Sequence, residues 1–258
     1  MGGMSLPALF ISHGAPTLAV EQTPETDAWA KLAAELPRPD AILAVSAHWD
    51  TATPAVSGAT RPETIHDFRG FPPALYQQRY PAPGAPQVAE LAAKALAHEG
   101  IACSIDPSRG LDHGAWVPLK WMYPKADIPV TQLSVQSHQG PRHHYALGKA
   151  LASLRGDNVL ILCSGGIVHN LREIQWQSRQ PVEWARAFNE WMAERVARGE
   201  LEALLDYREQ APSAERSHPT DEHLEPFFVA LGAGGLPARR LPLGLVMGSL
   251  GMDCFVFG

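Results

Sequence analysis

The chain has little cysteine, no long apolar run and no block of charge. Its three cysteines, Cys103, Cys163 and Cys254, are odd in number, lie in apolar surroundings and lack C-x-x-C spacing. That argues against a disulfide framework and predicts reduced core thiols of an intracellular protein. No run is long enough to span a bilayer, and Met1-Gly-Gly-Met-Ser5 has no basic region followed by an apolar one. The expected location is therefore cytoplasmic, with no membrane partner. The 21 basic and 27 acidic residues leave a net charge of −6 and neither sign forms a run, which disfavours nucleic acid as a partner. No Ser/Gly-rich linker divides the chain, so residues 1–258 are read as a single domain, long enough to bury a core.

Histidine and tryptophan are plentiful, at 11 and 7 residues. Three apolar runs each deliver a histidine near their end: Pro7-Ala-Leu-Phe-Ile-Ser-His13-Gly14, Ala41-Ile-Leu-Ala-Val-Ser-Ala-His48-Trp49-Asp50, and Asn158 through Gly165 to His169-Asn170. Short continuous apolar runs read as strands buried on both faces. In an open α/β sheet, ligands bind at the carboxyl ends of such strands. Three histidines in equivalent places predict a convergent imidazole cluster.

The rest of the chain supports a single α/β domain, with a central, mostly parallel sheet flanked by helices and a metal site at the carboxyl ends of the strands. Gly14-Ala-Pro16 is a tight exit expected to leave the His13 ring at a pocket surface. Helical spacing over Thr26–Leu36 predicts the crossover between the first two strands, and Pro86–His98 and Pro181–Arg198 read as amphipathic helices. Residues 50–84 lose periodicity and are rich in Pro, Gly and aromatics, as in a pocket wall or lid. Ile101–Ile105 reads as an edge strand and Ile128–Val135 as a strand. A short helix follows His113, another covers His143–Leu154, and a shorter one spans Leu201–Tyr207. Thr220 or Asp221 is expected to cap a helix carrying His223 on its first turn. Leu241–Met247 and Asp253–Phe257 read as a closing pair of strands.

Neutral imidazole binds Fe(II), Zn(II), Cu(II) and Ni(II). No histidine pair has the H-E-x-x-H spacing of a local zinc site, so spacing alone gives a metal moderate support. His66, His98, His138, His143, His144 and His218 are read as hydrogen-bonded polar residues, and Cys163 as core.

The set Ser12-His13-Gly14, Ser46-Ala47-His48-Trp49, Gly110-Leu-Asp-His113-Gly114-Ala-Trp116, His169-Asn170-Leu171 and His218-Pro-Thr-Asp-Glu-His223 resembles the class III extradiol ring-cleaving dioxygenases, in particular their 4,5-DOPA extradiol dioxygenase-like branch. The resemblance implies that His13, His48 and His223 hold one non-haem metal, Fe(II) in active enzymes, with Glu222 an open alternative. It implies an acid/base role for His169 and a substrate-side role for His113. It further implies O2 and a small, DOPA-like catechol as reactants, and a ring-opened semialdehyde acid as product. An imidazole titrating near neutrality suits proton transfer in both directions. Zn(II) competes for imidazole sites and cannot perform the redox step, so its presence in purified protein is compatible with this reading. A zinc hydrolase and a non-catalytic metal- or ligand-binding protein on the same scaffold are the competing readings.

Overall fold

The computed structural model describes residues 5–176, 178 and 180–258; residues 1–4, most of the Met1–Ser5 stretch, lie outside them. The strands are β1 (Ala8–Ser12), β2 (Ala41–Asp50), β3 (Ala55–Ser57), β4 (Ser104–Asp106), β5 (Val130–Val135), β6 (Val159–Gly165), β7 (Ala238–Leu241), β8 (Leu245–Val246), β9 (Leu250–Gly251) and β10 (Cys254–Phe257). The α-helices are α1 (Pro24–Glu35), α2 (Pro73–Tyr76), α3 (Pro86–His98), α4 (His113–Met122), α5 (Gly140–Leu151), α6 (Glu183–Arg198), α7 (Leu201–Leu205), α8 (Tyr207–Gln210), α9 (Ala214–Ser217) and α10 (Glu225–Gly234).

Eight strands form one sheet in the order β4-β3-β5-β2-β6-β1-β10-β7. Its centre, β5-β2-β6-β1, is parallel, whereas β10 and β7 are antiparallel additions at one side. The central strands are buried on both faces, as their unbroken apolar runs require. Leu43 and Val45 point into a core covered by α3, α5, α6 and α10; Ile42 and Ala44 point into a second core under α1 and α4. Alternate residues of one strand thus feed two cores. Each large side chain buried in them, such as Trp29 or Phe227, contributes roughly 1.5–3 kcal/mol.

Local chemistry sets the helix ends. Thr23 and Thr26 form a reciprocal capping box before α1, with Pro24 at its first position. Val88, Ala89, Ala92 and Leu96 form the buried stripe of α3. Gly199 adopts the left-handed conformation that ends α6. Among the described residues no helix is long and apolar enough to cross a membrane.

Several expectations are corrected. The helix expected to carry His223 begins only at Glu225, and no side chain caps it. The Asp221 carboxylate is engaged by the Tyr207 hydroxyl and Arg208, so its main-chain carbonyl receives the Leu224 and Glu225 N–H groups instead. The first closing strand is Ala238–Leu241, not Leu241–Met247. Pro242 has no N–H to donate to a ladder, and the Asp253 carboxylate takes the N–H groups of Leu243 and Gly244. Residues 50–84 contain a strand, β3, that the lost periodicity concealed. Cys103 is only partly buried, whereas Cys163 and Cys254 are core thiols.

Candidate metal centre and active-site pocket

Because β1, β2 and β6 are parallel neighbours, their carboxyl ends lie along one edge. His13 directly follows β1. His48 lies within β2, where the register against β5 shifts between Val45 and Asp50; such irregularities re-aim side chains beside active sites. His169 stands in the turn after β6, and its N–H donates to the Ser217 carbonyl at 3.0 Å. His223 is held against the end of β6 by the Gly166 N–H, which donates to its carbonyl at 2.9 Å. His113 opens α4, whose cap is the Asp112 carboxylate. That buried carboxylate also accepts from Ser46, Arg109 and Gln132.

All five histidines line one cavity of about 300 Å³. Ring centroids lie 5.0 Å apart for His13 and His48, 4.9 Å for His48 and His223, 5.5 Å for His13 and His223, and 4.0 Å for His48 and His113. His169 stacks on His223 at 3.4 Å and 6°. Gly114 lets α4 approach this closely: a Cβ there would strike the Ser46 hydroxyl and come within 3.0 Å of the His48 ring and 3.2 Å of His13. The His13 ring, almost closed to bulk solvent, lines the wall of this cavity, as its place at the Gly14 exit predicts.

Hydrogen-bond partners determine which ring nitrogens carry protons. The Ser164 hydroxyl donates to the Gly114 carbonyl, so it accepts from His13 Nδ1 at 2.9 Å. His48 Nδ1 faces the Asp67 carboxylate at 3.3 Å. His223 Nδ1 donates to Glu222 at 3.0 Å. In the neutral rings each Nε2 therefore presents a lone pair. The His13 and His48 Nε2 atoms lie 3.0 Å apart, a contact that these tautomers leave without a proton between the two lone pairs, and among the described residues the buried His223 Nε2 has no partner. Three lone pairs without a donor fit an electron-pair acceptor; ions held by imidazole at about 2.0–2.1 Å allow adjacent nitrogens about 3 Å apart.

Burial, reinforced by the neighbouring imidazoles, holds the His13 and His223 pKa values well below the usual imidazole value. The same causes, led by burial, take His48 to about 4 and His169 to about 3. These rings are neutral at pH 7, the state a metal requires. His169 was expected to titrate near neutrality; desolvation makes it a neutral acceptor instead. Asp67 is partly desolvated, which raises its pKa, yet the His113 hydrogen bond and charge bring it down to about 2.

Two sets of side chains offer ligand atoms within 4.8 Å of one another: His13, His48 and His113, and His169, Glu222 and His223. The expected trio of His13, His48 and His223 takes members from both. Histidines read as ordinary polar residues stay out of the cavity: His66 bonds the Gln78 carbonyl, His143 bonds Gln136, His144 accepts the Gln136 N–H and faces Glu225, and His218 donates to the Ile167 carbonyl. Sequence reasoning missed Asp67 and the apolar rim of Leu171, Ile174, Trp176 and Met247. The available signal was an acidic residue in an aromatic, aperiodic segment. Phe68 and Phe71 line the wall, as the expected role of residues 50–84 requires, whereas Tyr76 packs behind Phe68.

The chain is similar to known proteins over nearly its whole length. Residues 7–241 match the family described as the catalytic LigB subunit of aromatic ring-opening dioxygenase. The chain is 44% identical over 231 residues to a 4,5-DOPA dioxygenase extradiol of Beta vulgaris, covering 88% of this chain and 86% of the relative. It is 41% identical over 259 residues to a 4,5-DOPA dioxygenase extradiol of Escherichia coli strain K12, covering 98% and 94%. A crystal structure of an uncharacterized Escherichia coli K12 protein superposes with a TM-score of 0.82 at 36% identity, covering 98% of this chain and all of that one. The chain belongs to the LigB family and is an extradiol aromatic ring-opening dioxygenase, acting on a small aromatic substrate and O2.

Proposed function

We propose that this protein is an Fe(II)-dependent dioxygenase that opens the ring of a catechol with a side chain, DOPA-like in outline, with the metal held by His13, His48 and His223. The observation carrying the proposal is that the His13 and His48 Nε2 atoms stand 3.0 Å apart beside the His223 ring, 5.5 and 4.9 Å from theirs by centroid, whose buried Nε2 has no partner among the described residues. The relatives named for 4,5-DOPA support the substrate class. When bound, Fe(II) supplies Lewis acidity toward the catechol hydroxyls and a redox route between ring and dioxygen.

The chain's own residues supply position and proton handling. Phe68 and Phe71 form an apolar wall beside the histidines, and Leu171, Ile174 and Trp176 extend it to the rim. Leu171 and Trp176 are 62% and 69% exposed, apolar area that a substrate side chain can cover. His169 is the proton acceptor for a catechol hydroxyl: burial keeps it neutral, and an anionic oxygen beside it favours its protonated form. It can then return that proton to the ring-opened product. His113 faces the same cavity from the start of α4 and hydrogen-bonds the substrate oxygens. The apolar lining limits water around these groups, which strengthens each polar contact.

Metal content and turnover of single variants test the assignment. His13→Ala, His48→Ala and His223→Ala are each expected to lose bound iron, whereas His169→Ala keeps iron and loses turnover. Full iron occupancy in all three ligand variants would overturn it.

A further inference from the structure

Asp67 lies in the aperiodic segment between β3 and α2 and has no place in the chemistry described above. Its two carboxylate oxygens reach different histidines. Oδ2 stands 3.3 Å from His48 Nδ1, and Oδ1 stands 3.0 Å from both His113 Nδ1 and the His113 main-chain nitrogen. We propose that Asp67 is a positioning residue that fixes the tautomers of His48 and His113 together, turning the Nε2 lone pair of each into the cavity. The inference rests on the proposal that His48 holds the metal.

A carboxylate is a pure acceptor with two oxygens, so it accommodates two Nδ1–H donors and the main-chain N–H at once. An amide in its place has one acceptor oxygen and one donor nitrogen. That nitrogen would face one of the Nδ1–H groups, and the ring there would have to exchange its proton to Nε2, which removes its lone pair from the cavity. The two rings are also in contact, with centroids 4.0 Å apart, so one anchor sets the mutual orientation of a metal-side and a substrate-side histidine. Carboxylate partners that orient a ligating imidazole typically carry a 10–100-fold effect on metal affinity. Ser164 and Glu222 perform the equivalent service for His13 and His223 singly; Asp67 serves two rings.

The test combines imidazole 15N–1H correlation spectra at pH 7.5 with Zn(II) affinity measured against a competing chelator. His48→Gln and His113→Gln assign the two ring signals. Both rings of the metal-free wild type are expected to be protonated at Nδ1. In Asp67→Asn at least one shifts to Nε2 protonation, and the Zn(II) dissociation constant rises 10–100-fold. Wild-type rings protonated at Nε2, or an Asp67→Asn protein with unchanged tautomers and affinity, would overturn the proposal. Should Asp67→Asn fail to fold, the wild-type tautomers decide alone. Failure of the underlying metal assignment gives a different result: His48→Gln would then bind Zn(II) as tightly as the wild type, whatever the tautomers.

Discussion

Gly165→Ala is the most searching perturbation of the way the fold presents His223. Gly165 closes β6, and a Cβ built on it would collide with the His223 carbonyl oxygen and lie 3.1 Å from its carbonyl carbon. These are backbone atoms, so no side-chain rotation relieves the overlap. A carbon–oxygen contact needs about 3.3 Å, which forces the His223 peptide back by about an ångström. That movement strains the 2.9 Å bond from the Gly166 N–H. Overpacking of this kind costs about 1–3 kcal/mol, and a weakened hydrogen bond adds about 1 kcal/mol. At roughly 2–4 °C per kcal/mol for a chain of this size, the expected fall in Tm is about 5–15 °C. On the proposed ligand trio the displaced His223 Nε2 moves away from its two partners, so Zn(II) affinity falls at least about tenfold, in line with disturbed ligand orientation. Gly156→Ala is the control, because a Cβ there meets nothing within 4 Å. Differential scanning fluorimetry and chelator competition read both quantities. Wild-type Tm and affinity in Gly165→Ala would refute the reasoning.

The fully buried His218 predicts an acid-sensitive step in stability. Burial lowers its pKa to about 4, outweighing the Ile167 carbonyl bond that raises it, whereas an unfolded histidine titrates near 6.5. The unfolded state therefore binds more protons between these values, and about 3 kcal/mol is lost as pH falls from 6.5 through 4. Urea midpoints at pH 7 and 4.5 should show this loss in the wild type and a smaller one in His218→Asn. Zn(II) at about 100 times its dissociation constant should stabilise the native state by about 2.7 kcal/mol, seen as a Tm rise that His13→Ala abolishes. Trp176→Ala should raise KM about tenfold for a catechol carrying an apolar side chain, by loss of about 1.4 kcal/mol of contact, and leave KM for unsubstituted catechol unchanged. Equal effects on both substrates would remove the rim from the binding surface.

The sheet centre was legible because strands buried on both faces leave unbroken apolar runs, as in Ala41–Ser46 and Val159–Cys163. The helices α1 and α3 were legible from stripes of 3.6-residue period and their prolines. His13, His48 and His169 announced themselves by position at strand ends, and the family resemblance added His113 and His223. Asp67 could not be found this way, since its role depends on a loop folding back over two histidines distant in sequence. The expected cap before α10 failed because Tyr207 and Arg208, neither adjacent in sequence, claim the Asp221 carboxylate. The β3 strand was hidden because three residues at the sheet's flank show no readable period.

Oxygen consumption tests the central claim most directly. Metal-free protein is reloaded anaerobically with Fe(II), mixed with L-DOPA, caffeate or 4-methylcatechol, and followed at once by oxygen electrode and visible spectrum. The account predicts one O2 taken up per catechol consumed, with a new absorbing ring-opened product, from at least one of the three. Protein shown to carry one iron per chain that consumes no oxygen with any of them would contradict it.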